Sequence, residues 1–252
     1  MAVIAGNWKM HLGPHDTRRF FKEFDASVLE MGHELILFPS TASLGAAFLA
    51  REEAVKGIGL GVQNIYWEDA GAFTGETSAP IAANAGAEFA LVGHSERRHV
   101  FGETDEETAK KVAAARRHGL VPVLCVGETL EERRAGRVDE VVLRQLDAAL
   151  PELDVEGSRF LVAYEPVWAI GTGETATPAD ASAAHATLGR RLTKALGAGR
   201  ADRVPILYGG SVKPDNAEEL MAAEHVDGVL VGGASLKPES FAAIVRAAGK
   251  AR

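Results

Sequence analysis

Short apolar runs alternate along the chain with longer stretches in which apolar residues recur at helical spacing. The short runs are rich in β-branched residues and end at polar or turn-forming residues, which is typical of strands. We predict eight strands, at residues 3–5, 35–38, 58–62, 89–92, 120–126, 160–164, 204–208 and 228–231. The intervening periodicity predicts helices that include residues 17–29, 108–117, 138–150 and 181–196.

The order of these elements indicates the fold. Thr104-Asp-Glu-Glu107 has the form of a capping box, and Thr177-Pro178 places proline at the first position of a helix. Strands that are apolar on both faces and alternate with helices predict a parallel sheet covered by helices. Eight such units in 252 residues favour an α/β fold of the (β/α)8 barrel type over a doubly wound sheet, which usually has fewer strands. Because no linker interrupts the pattern, we expect a single domain over residues 1–252.

Composition narrows the class of protein. Apolar residues make up 46% of the chain and charged residues 25%, and the net charge of −8 argues against binding to nucleic acid or to a membrane surface. The one cysteine, Cys125, excludes an internal disulfide and lies in an apolar run, so we expect it in the core. No run approaches the roughly 18 apolar residues of a membrane helix. We therefore expect a cytoplasmic protein.

Chemically active residues directly follow the predicted strands. Lys9 follows the first strand, His94 the fourth and Glu165 the sixth, and glycine-rich turns follow the last two, at Gly209-Gly-Ser211 and Gly232-Gly233. Each has an ordinary structural explanation on its own, as a solvated lysine, a hydrogen-bonded histidine, an ion-paired glutamate or a simple turn. The carboxyl ends of parallel barrel strands, however, meet at one rim, where barrel enzymes build their active sites. We therefore predict that these residues converge.

The residue types at this rim suit one kind of chemistry. Glycine turns after the seventh and eighth strands let backbone N–H groups approach a phosphate closely. Glu165 can act as a general base towards a C–H bond, while His94 and Lys9 can stabilise the negative charge that then develops on oxygen. Because no dinucleotide-binding fingerprint and no metal-ligand spacing are found, we expect neither a cofactor nor a metal ion.

The segment that begins at Glu165 carries large apolar residues in a loop. Val167, Trp168 and Ile170 lie between Pro166 and the sequence Gly171-Thr-Gly173. Exposing such side chains to water forfeits roughly 1.5–3 kcal/mol each. Two explanations remain open at this point: a lid that closes over something beside Glu165, or a loop packed permanently on a neighbouring helix.

Five blocks of the sequence resemble the triosephosphate isomerase family, in that family's order. They are Gly6-Asn-Trp-Lys-Met10, Gly93-His-Ser-Glu-Arg-Arg98, Tyr164-Glu-Pro-Val-Trp-Ala-Ile-Gly-Thr-Gly173, Tyr208-Gly-Gly-Ser-Val212 and Gly228-Val-Leu-Val-Gly-Gly-Ala-Ser-Leu236. The blocks span nearly the whole chain. The resemblance implies an isomerase that interconverts dihydroxyacetone phosphate and glyceraldehyde 3-phosphate in glycolysis and gluconeogenesis, through an enediolate.

The resemblance also implies a role for each site residue. Glu165 would move the proton between C1 and C2, and His94 would act as the electrophile on the carbonyl, kept neutral by a short helix starting at Ser95. Asn7 and Lys9 would hold the substrate, with Glu96 paired to the lysine. The phosphate would be bound by the backbones of Gly171, Ser211, Gly232 and Gly233. The lid would consist of Pro166, Val167, Trp168, Ala169, Ile170, Gly171 and Thr172, and would prevent the enediolate from eliminating phosphate.

The loop over residues 64–80 is long for a compact domain and carries three aromatic residues, Tyr66, Trp67 and Phe73. The resemblance implies a homodimer in which this loop reaches into the neighbouring subunit, with Thr74 close to the catalytic groups there. His11 stands where the family usually has asparagine, at the edge of that contact. Since a histidine changes charge near neutral pH, the strength of a dimer could depend on pH.

Two other functions remain as alternatives. One is a barrel aldolase or phosphosugar lyase in which Lys9 forms a Schiff base, although Glu96 would keep that lysine charged. The other is a catalytically inactive phosphate-binding or scaffold protein on the same barrel, which would need neither Glu165 nor a lid.

Overall fold

The eight predicted strands are present and close into a parallel barrel. This is seen in a computed structural model, which describes residues 1–170 and 176–249. The strands are β1 (Val3–Asn7), β2 (Glu34–Phe38), β3 (Ile58–Val62), β4 (Phe89–Val92), β5 (Val121–Val126), β6 (Leu161–Tyr164), β7 (Ile206–Tyr208) and β8 (Gly228–Val231). Each pairs with its neighbours in chain order, and β1 also pairs with β8, where Val3 lies opposite Gly228. The (β/α)8 prediction is confirmed.

Strand boundaries differ from the prediction by up to two residues. β1 continues to Asn7, where it is still paired with Phe38 of β2. β7 begins at Ile206 rather than at residue 204, because Pro205 has no N–H with which to extend the hydrogen-bonded ladder. Such differences leave every C-terminal strand end on the predicted rim.

Helices connect the strands on the outside of the barrel. They are α1 (Pro14–Glu23), α2 (Leu44–Ala54), α3 (Ala79–Asn84), α4 (Ser95–His99), α5 (Asp105–Arg117), α6 (Leu130–Arg134), α7 (Val138–Leu153), α8 (Pro178–Leu196), α9 (Ala198–Ala201), α10 (Ala217–Ala222) and α11 (Pro238–Ala248). Both predicted helix starts are confirmed: Thr104 forms a capping box with Glu107, and Thr177 forms one with Asp180.

The prediction of one helix over residues 17–29 is wrong. α1 ends at Glu23, and a separate 3-10 helix covers Ala26–Met31. The break lies at Phe24, whose backbone is extended (φ −69°, ψ 132°), so that its ring stacks on Phe20 at 5.8 Å and meets Phe241 at 6.1 Å. Burial of this aromatic ring between two helices outweighs the continuation of local helical periodicity.

Two apolar layers stabilise the barrel. Alternate strand residues fill its interior, including Ile36, Phe38, Leu91 and the fully buried Cys125. The larger layer lies between the sheet and the surrounding helices. The placement of Cys125 in the core is confirmed, and burial raises the pKa of its thiol. Among the described residues, no helix is long and apolar enough to cross a membrane.

One buried histidine lies outside the predicted site. His185 on α8 is fully buried, and its Nδ1 lies 3.0 Å from the carbonyl oxygen of His225. Because a carbonyl oxygen only accepts, Nδ1 is the protonated nitrogen and donates this hydrogen bond. Burial lowers the pKa of His185 to about 4. In the unfolded chain the pKa of a histidine is about 6.5. Between pH 6.5 and pH 4 the unfolded chain therefore binds a proton at this residue that the folded chain does not, and lowering the pH reduces the free energy of unfolding.

We expect the free energy of unfolding to fall by about 2.5 kcal/mol more in the native chain than in His185→Gln when pH drops from 7 to 4.5. Denaturant titrations at both pH values measure this difference. His15→Gln, at an exposed histidine, is the matched control and should behave as the native chain does. Equal pH dependence in the native chain and in His185→Gln would contradict the assignment.

Candidate active site

Three polar residues lie at or just beyond the C-terminal ends of β1, β4 and β6, on the rim where the strand order predicts them. Asn7 ends β1, His94 lies two residues beyond β4, and Glu165 directly follows β6. All three are almost fully buried, with exposed fractions of 5%, 5% and 2%. Such burial is unusual for polar side chains and requires that each be hydrogen-bonded.

Glu165 is held by two donors, one for each carboxylate oxygen. Oε1 lies 2.9 Å from Nε2 of His94, and Oε2 accepts a hydrogen bond of 2.9 Å from the backbone N–H of Ser95. Burial by itself raises the pKa of Glu165, but His94, the Ser95 amide and the charge of Lys9 lower it by more. The pKa therefore lies below its ordinary value, and the side chain is a carboxylate at neutral pH.

His94 is the N-cap of α4, and this position assigns its tautomer. Its Nδ1 accepts a hydrogen bond of 3.2 Å from the backbone N–H of Glu96 and so carries no proton. Burial lowers the pKa of His94, whereas the carboxylates of Glu165 and Glu96 raise it by more. A second proton would nevertheless have to sit on Nδ1, facing the amide of Glu96. We therefore assign a neutral imidazole that donates from Nε2 to Glu165.

Lys9 reaches the same site through a constrained backbone. Its φ of 50° lies in the left-handed region, which is uncommon for residues other than glycine. Two side chains hold it there: Oδ1 of Asn7 accepts from the N–H of Lys9 at 3.0 Å, and Nε2 of Gln63 donates to its carbonyl at 2.8 Å. Nζ of Lys9 forms an ion pair with Oε1 of Glu96 at 2.5 Å.

A cavity of about 790 Å³ adjoins these residues on the side of β7 and β8. Asn7, Lys9, Ser211, Gly232 and Gly233 are among the residues that line it. A Cβ atom added at Gly233 would meet no atom within 4 Å, and one at Gly232 would meet only Cε of Lys9 at 3.8 Å. Neighbouring protein atoms therefore do not exclude side chains there. The two glycines leave the space open for a ligand to approach the backbone. His94 and Glu165 are not among the lining residues of this cavity, and His94 is connected to it through Glu96, which pairs with Lys9.

Only part of the predicted lid is described. The structure describes Pro166 to Ile170, while Gly171 and Thr172 lie outside the described residues. Val167–Ala169 form a 3-10 turn in which Ala169 is buried, and Ile170 lines the cavity. Trp168 is half-buried, and its Nε1 donates to Oε1 of Glu128 at 2.8 Å. The apolar residues of this segment are thus partly covered, and one of them faces the candidate ligand site.

The two residues predicted at a subunit contact are exposed. Thr74 lies in the outer part of the loop that precedes α3, and His11 borders the cavity. The loop is folded on itself, because the ring of Tyr66 lies 4.1 Å from that of Trp67 and 4.5 Å from that of Phe73. These positions leave Thr74 free to meet another surface.

Sequence reasoning missed three contributors to the site. Gln63 directly follows β3, so the rule that selected His94 and Glu165 could also have found it. The amide of Ser95 gives no sequence signal, because any residue supplies one. Gly209 was assigned to a phosphate-binding turn, yet an added Cβ there would meet Cγ of Glu165 at 2.9 Å. Its missing side chain makes room for the carboxylate.

The fold and the site together define a (β/α)8-barrel enzyme with a carboxylate, an imidazole and an ammonium group beside an open glycine cradle. Among the described residues, no group of three His, Cys, Asp or Glu side chains is arranged to hold a metal ion. The sequence profile of the triosephosphate isomerase family matches residues 2–248. The chain therefore belongs to the triosephosphate isomerase family.

Individual relatives agree with this assignment. The chain is 46% identical over 250 residues to a triosephosphate isomerase of Synechococcus sp. (strain JA-3-3Ab), which covers 96% of this chain and 93% of the relative. It is 47% identical over 252 residues to that of Symbiobacterium thermophilum, covering 99% and 98%. A crystal structure of triosephosphate isomerase from Bartonella henselae superposes with a TM-score of 0.86 at 38% identity, over 98% of both chains.

We expect Gly209→Ala to lower turnover about tenfold or more, because the new methyl group displaces the carboxylate of Glu165 and small misplacements of a reacting group are costly. Steady-state kinetics with a triose phosphate measure this. Gly13→Ala is the matched control, since a Cβ at Gly13 meets no atom within 4 Å and its φ is −63°. Native turnover in Gly209→Ala would show that Glu165 tolerates the added group.

Proposed function

We propose that this chain catalyses the interconversion of dihydroxyacetone phosphate and glyceraldehyde 3-phosphate with Glu165 as the base. Its family membership supports the reaction, and one observation supports the assignment of residues. The carboxylate of Glu165 and the N–H of His94 are 2.9 Å apart in a buried position, next to Lys9 and the open glycine turns. A base for carbon and a donor for oxygen are thus available side by side.

The proton transfer follows from these positions. Glu165 removes a proton from C1 of dihydroxyacetone phosphate, and the electron pair of the C–H bond forms a C1–C2 double bond while the carbonyl oxygen becomes negative. His94 donates from Nε2 to the substrate oxygens, and the ammonium of Lys9 stabilises the charge. The hydroxyl proton of O1 is transferred to O2, the electron pair of the double bond takes the proton from Glu165 at C2, and the C1–O1 bond becomes the carbonyl of the aldehyde. No oxidant or cofactor takes part, because a hydrogen is moved within one molecule.

Substrate binding must release the base. Both oxygens of Glu165 are engaged, and the donor that the substrate oxygen needs is occupied by the carboxylate. When the substrate oxygen takes the N–H of His94, Oε1 of Glu165 is freed. Exclusion of water then raises the basicity of a carboxylate that has lost a stabilising hydrogen bond.

The remaining predicted residues bind and cover the substrate. The backbones of Gly171, Ser211, Gly232 and Gly233 bind the phosphate. Asn7 orients Lys9, and Glu96 is the ion-pair partner of Lys9. Pro166 to Thr172 form the lid. The ion pair of 2.5 Å between Lys9 and Glu96 disfavours a Schiff base, because the attacking amine would have to lose its proton beside a carboxylate. We further propose that the enzyme acts in the cytoplasm and requires no metal.

We expect the purified chain to convert glyceraldehyde 3-phosphate. Glu165→Asp should reduce turnover by about 100-fold or more, because the shorter side chain withdraws the base by about 1 Å. Its affinity for a phosphate-bearing inhibitor should stay similar to that of the native chain. His94→Gln should lower kcat by a larger factor than it changes KM, since the hydrogen bond from His94 to the substrate oxygen strengthens as negative charge develops there. A coupled assay gives both constants.

Borohydride treatment in the presence of substrate is the control for the Schiff-base alternative and should leave Lys9 unmodified. Turnover that survives Glu165→Asp unchanged would exclude Glu165 as the base. Absence of activity in the native chain would favour the scaffold alternative.

We also propose that the active form is a homodimer. Large exposed apolar side chains are concentrated in the first four βα units, which are adjacent around the barrel. They include Met10, Leu49, Phe73, Ile81, Val100 and Phe101, with exposed fractions from 40% to 93%. Apolar surface of this kind, beside the exposed Thr74, suits a self-complementary contact between two copies.

The loop before α3 is anchored well enough to act as a docking element. Asp69 forms an ion pair with Arg117 at 3.0 Å, and its Oδ1 lies 2.9 Å from Nε2 of His118. At its base, Oδ1 of Asn64 accepts a hydrogen bond of 2.8 Å from Nζ of the buried Lys111. These contacts tie both parts of the loop to α5. The loop would therefore lose little conformational entropy when two copies associate.

We expect dimers at neutral pH and a dissociation constant that differs between pH 5.5 and pH 8, because histidine is the side chain whose charge ordinarily changes in this range and His11 lies at the proposed contact. Sedimentation equilibrium measures both dissociation constants. His11→Asn is the matched variant, and it should remove the difference. Equal constants in the native chain at the two pH values would exclude a role for His11.

A further inference from the structure

Glu165 lies between two glycines that continue the neighbouring strands of the barrel. Gly127 directly follows β5, and Gly209 directly follows β7. A Cβ atom added at Gly127 would overlap the carbonyl oxygen of Glu165 and lie 2.6 Å from its carbonyl carbon, and one added at Gly209 would meet its Cγ at 2.9 Å. The backbone of Gly127 therefore packs directly on the backbone of Glu165, and a shift of Gly127 displaces Glu165.

The residues on either side of Gly127 extend the pairing of β5 with β6. The carbonyl of Val126 accepts a hydrogen bond of 2.7 Å from the N–H of Glu165, and the carbonyl of Glu128 accepts one of 3.1 Å from the N–H of Val167. Because successive residues of an extended strand direct their polar groups to opposite sides, the N–H and C=O of Gly127 point away from β6. Gly127 is buried, so both groups need another partner.

The side chain of Gln145 supplies both partners. Gln145 lies on α7 and is only 3% exposed. Its Oε1 accepts a hydrogen bond of 2.7 Å from the N–H of Gly127, and its Nε2 donates one of 3.2 Å to the carbonyl oxygen of Gly127. The reverse orientation of the amide would face donor with donor and acceptor with acceptor, so these two contacts fix its orientation. The amide thus holds Gly127 as a neighbouring strand would.

We propose that Gln145 is a positioning residue for the base: its amide fixes Gly127, and Gly127 fixes the backbone of Glu165. The inference rests on the proposed isomerase function, because Glu165 acts as a base in that reaction. Gln145 does not line the cavity beside Lys9. Loss of its amide should therefore slow proton transfer without weakening the binding of a phosphate group.

Gln145→Met removes both hydrogen bonds at a similar side-chain volume. We expect its kcat with glyceraldehyde 3-phosphate to fall by about tenfold or more, because small displacements of a reacting group are costly. KM, and the dissociation constant for glycerol 3-phosphate, an analogue without a carbonyl group, should stay within about twofold of the native values. The kcat is expressed per site that binds glycerol 3-phosphate, so that unfolded protein does not contribute. A merely structural role of Gln145 would leave this kcat unchanged.

Gln145→Glu is the conservative variant, and its rescue of turnover depends on protonation. A protonated carboxyl group can donate to the carbonyl of Gly127 and accept from its N–H, whereas a carboxylate places negative charge against that carbonyl. Burial raises the pKa of such a carboxyl group above its ordinary value of about 4.3. As pH falls from 8.5 to 5.5, the kcat of this variant relative to the native chain should therefore rise, and at the acid end it should exceed that of Gln145→Met.

Leu153→Ala is the control for a general loss of stability. Leu153 is fully buried at the end of α7, eight residues beyond Gln145 and thus about 12 Å away along the helix axis. This variant should unfold at a lower temperature than the native chain and keep the native kcat per binding site.

The outcomes distinguish the two proposals. A native chain without isomerase activity would overturn the proposed function. An active native chain with an unchanged kcat in Gln145→Met would overturn the positioning role alone. Equal kcat values of Gln145→Glu and Gln145→Met at every pH would also overturn it, because the hydrogen bonds to Gly127 would then not be the cause. A loss of kcat in Leu153→Ala as large as in Gln145→Met would do the same.

Discussion

The pairing of β1 with β8 is the constraint on which the rest of the structure depends. It closes the sheet, so that strands far apart in the chain share one rim. Without closure, Asn7 and Lys9 at the end of β1 would lie at an open edge and far from the turn that follows β8. Closure also buries an interior that includes Phe38 and Leu91. The same hydrogen bonds therefore provide both stability and the meeting point of the site.

The site holds buried charge by pairing it completely. Isolated, a carboxylate as buried as Glu165 would protonate, and a buried histidine such as His185 stays neutral. His94 and the amide of Ser95 instead keep Glu165 ionised. In the proposed reaction, these are the interactions that a substrate oxygen replaces. The hydrogen bonds that stabilise the buried carboxylate are then also the ones whose exchange releases the proposed base.

Much of the fold and of the site could be predicted because the relevant signals are local. The capping boxes at Thr104 and Thr177 depend on residues three positions apart, and both are present. The positions of His94 and Glu165 follow from counting along strands. The helix that ends at Glu23 could not be predicted in this way. Its break depends on the contact of Phe24 with Phe241, which lies at the other end of the chain.

The sequence by itself determined the number, order and direction of the strands, and hence which residues reach the rim, because periodicity and chain direction are properties of short segments. Family membership follows from motifs of the same local kind. Only the tertiary structure decided how each group is held: the left-handed backbone of Lys9, whose carbonyl accepts from Gln63, and the two hydrogen bonds of Glu165. These contacts join residues from different βα units. Their distances depend on how the barrel closes and packs, for which no short stretch of sequence carries a signal.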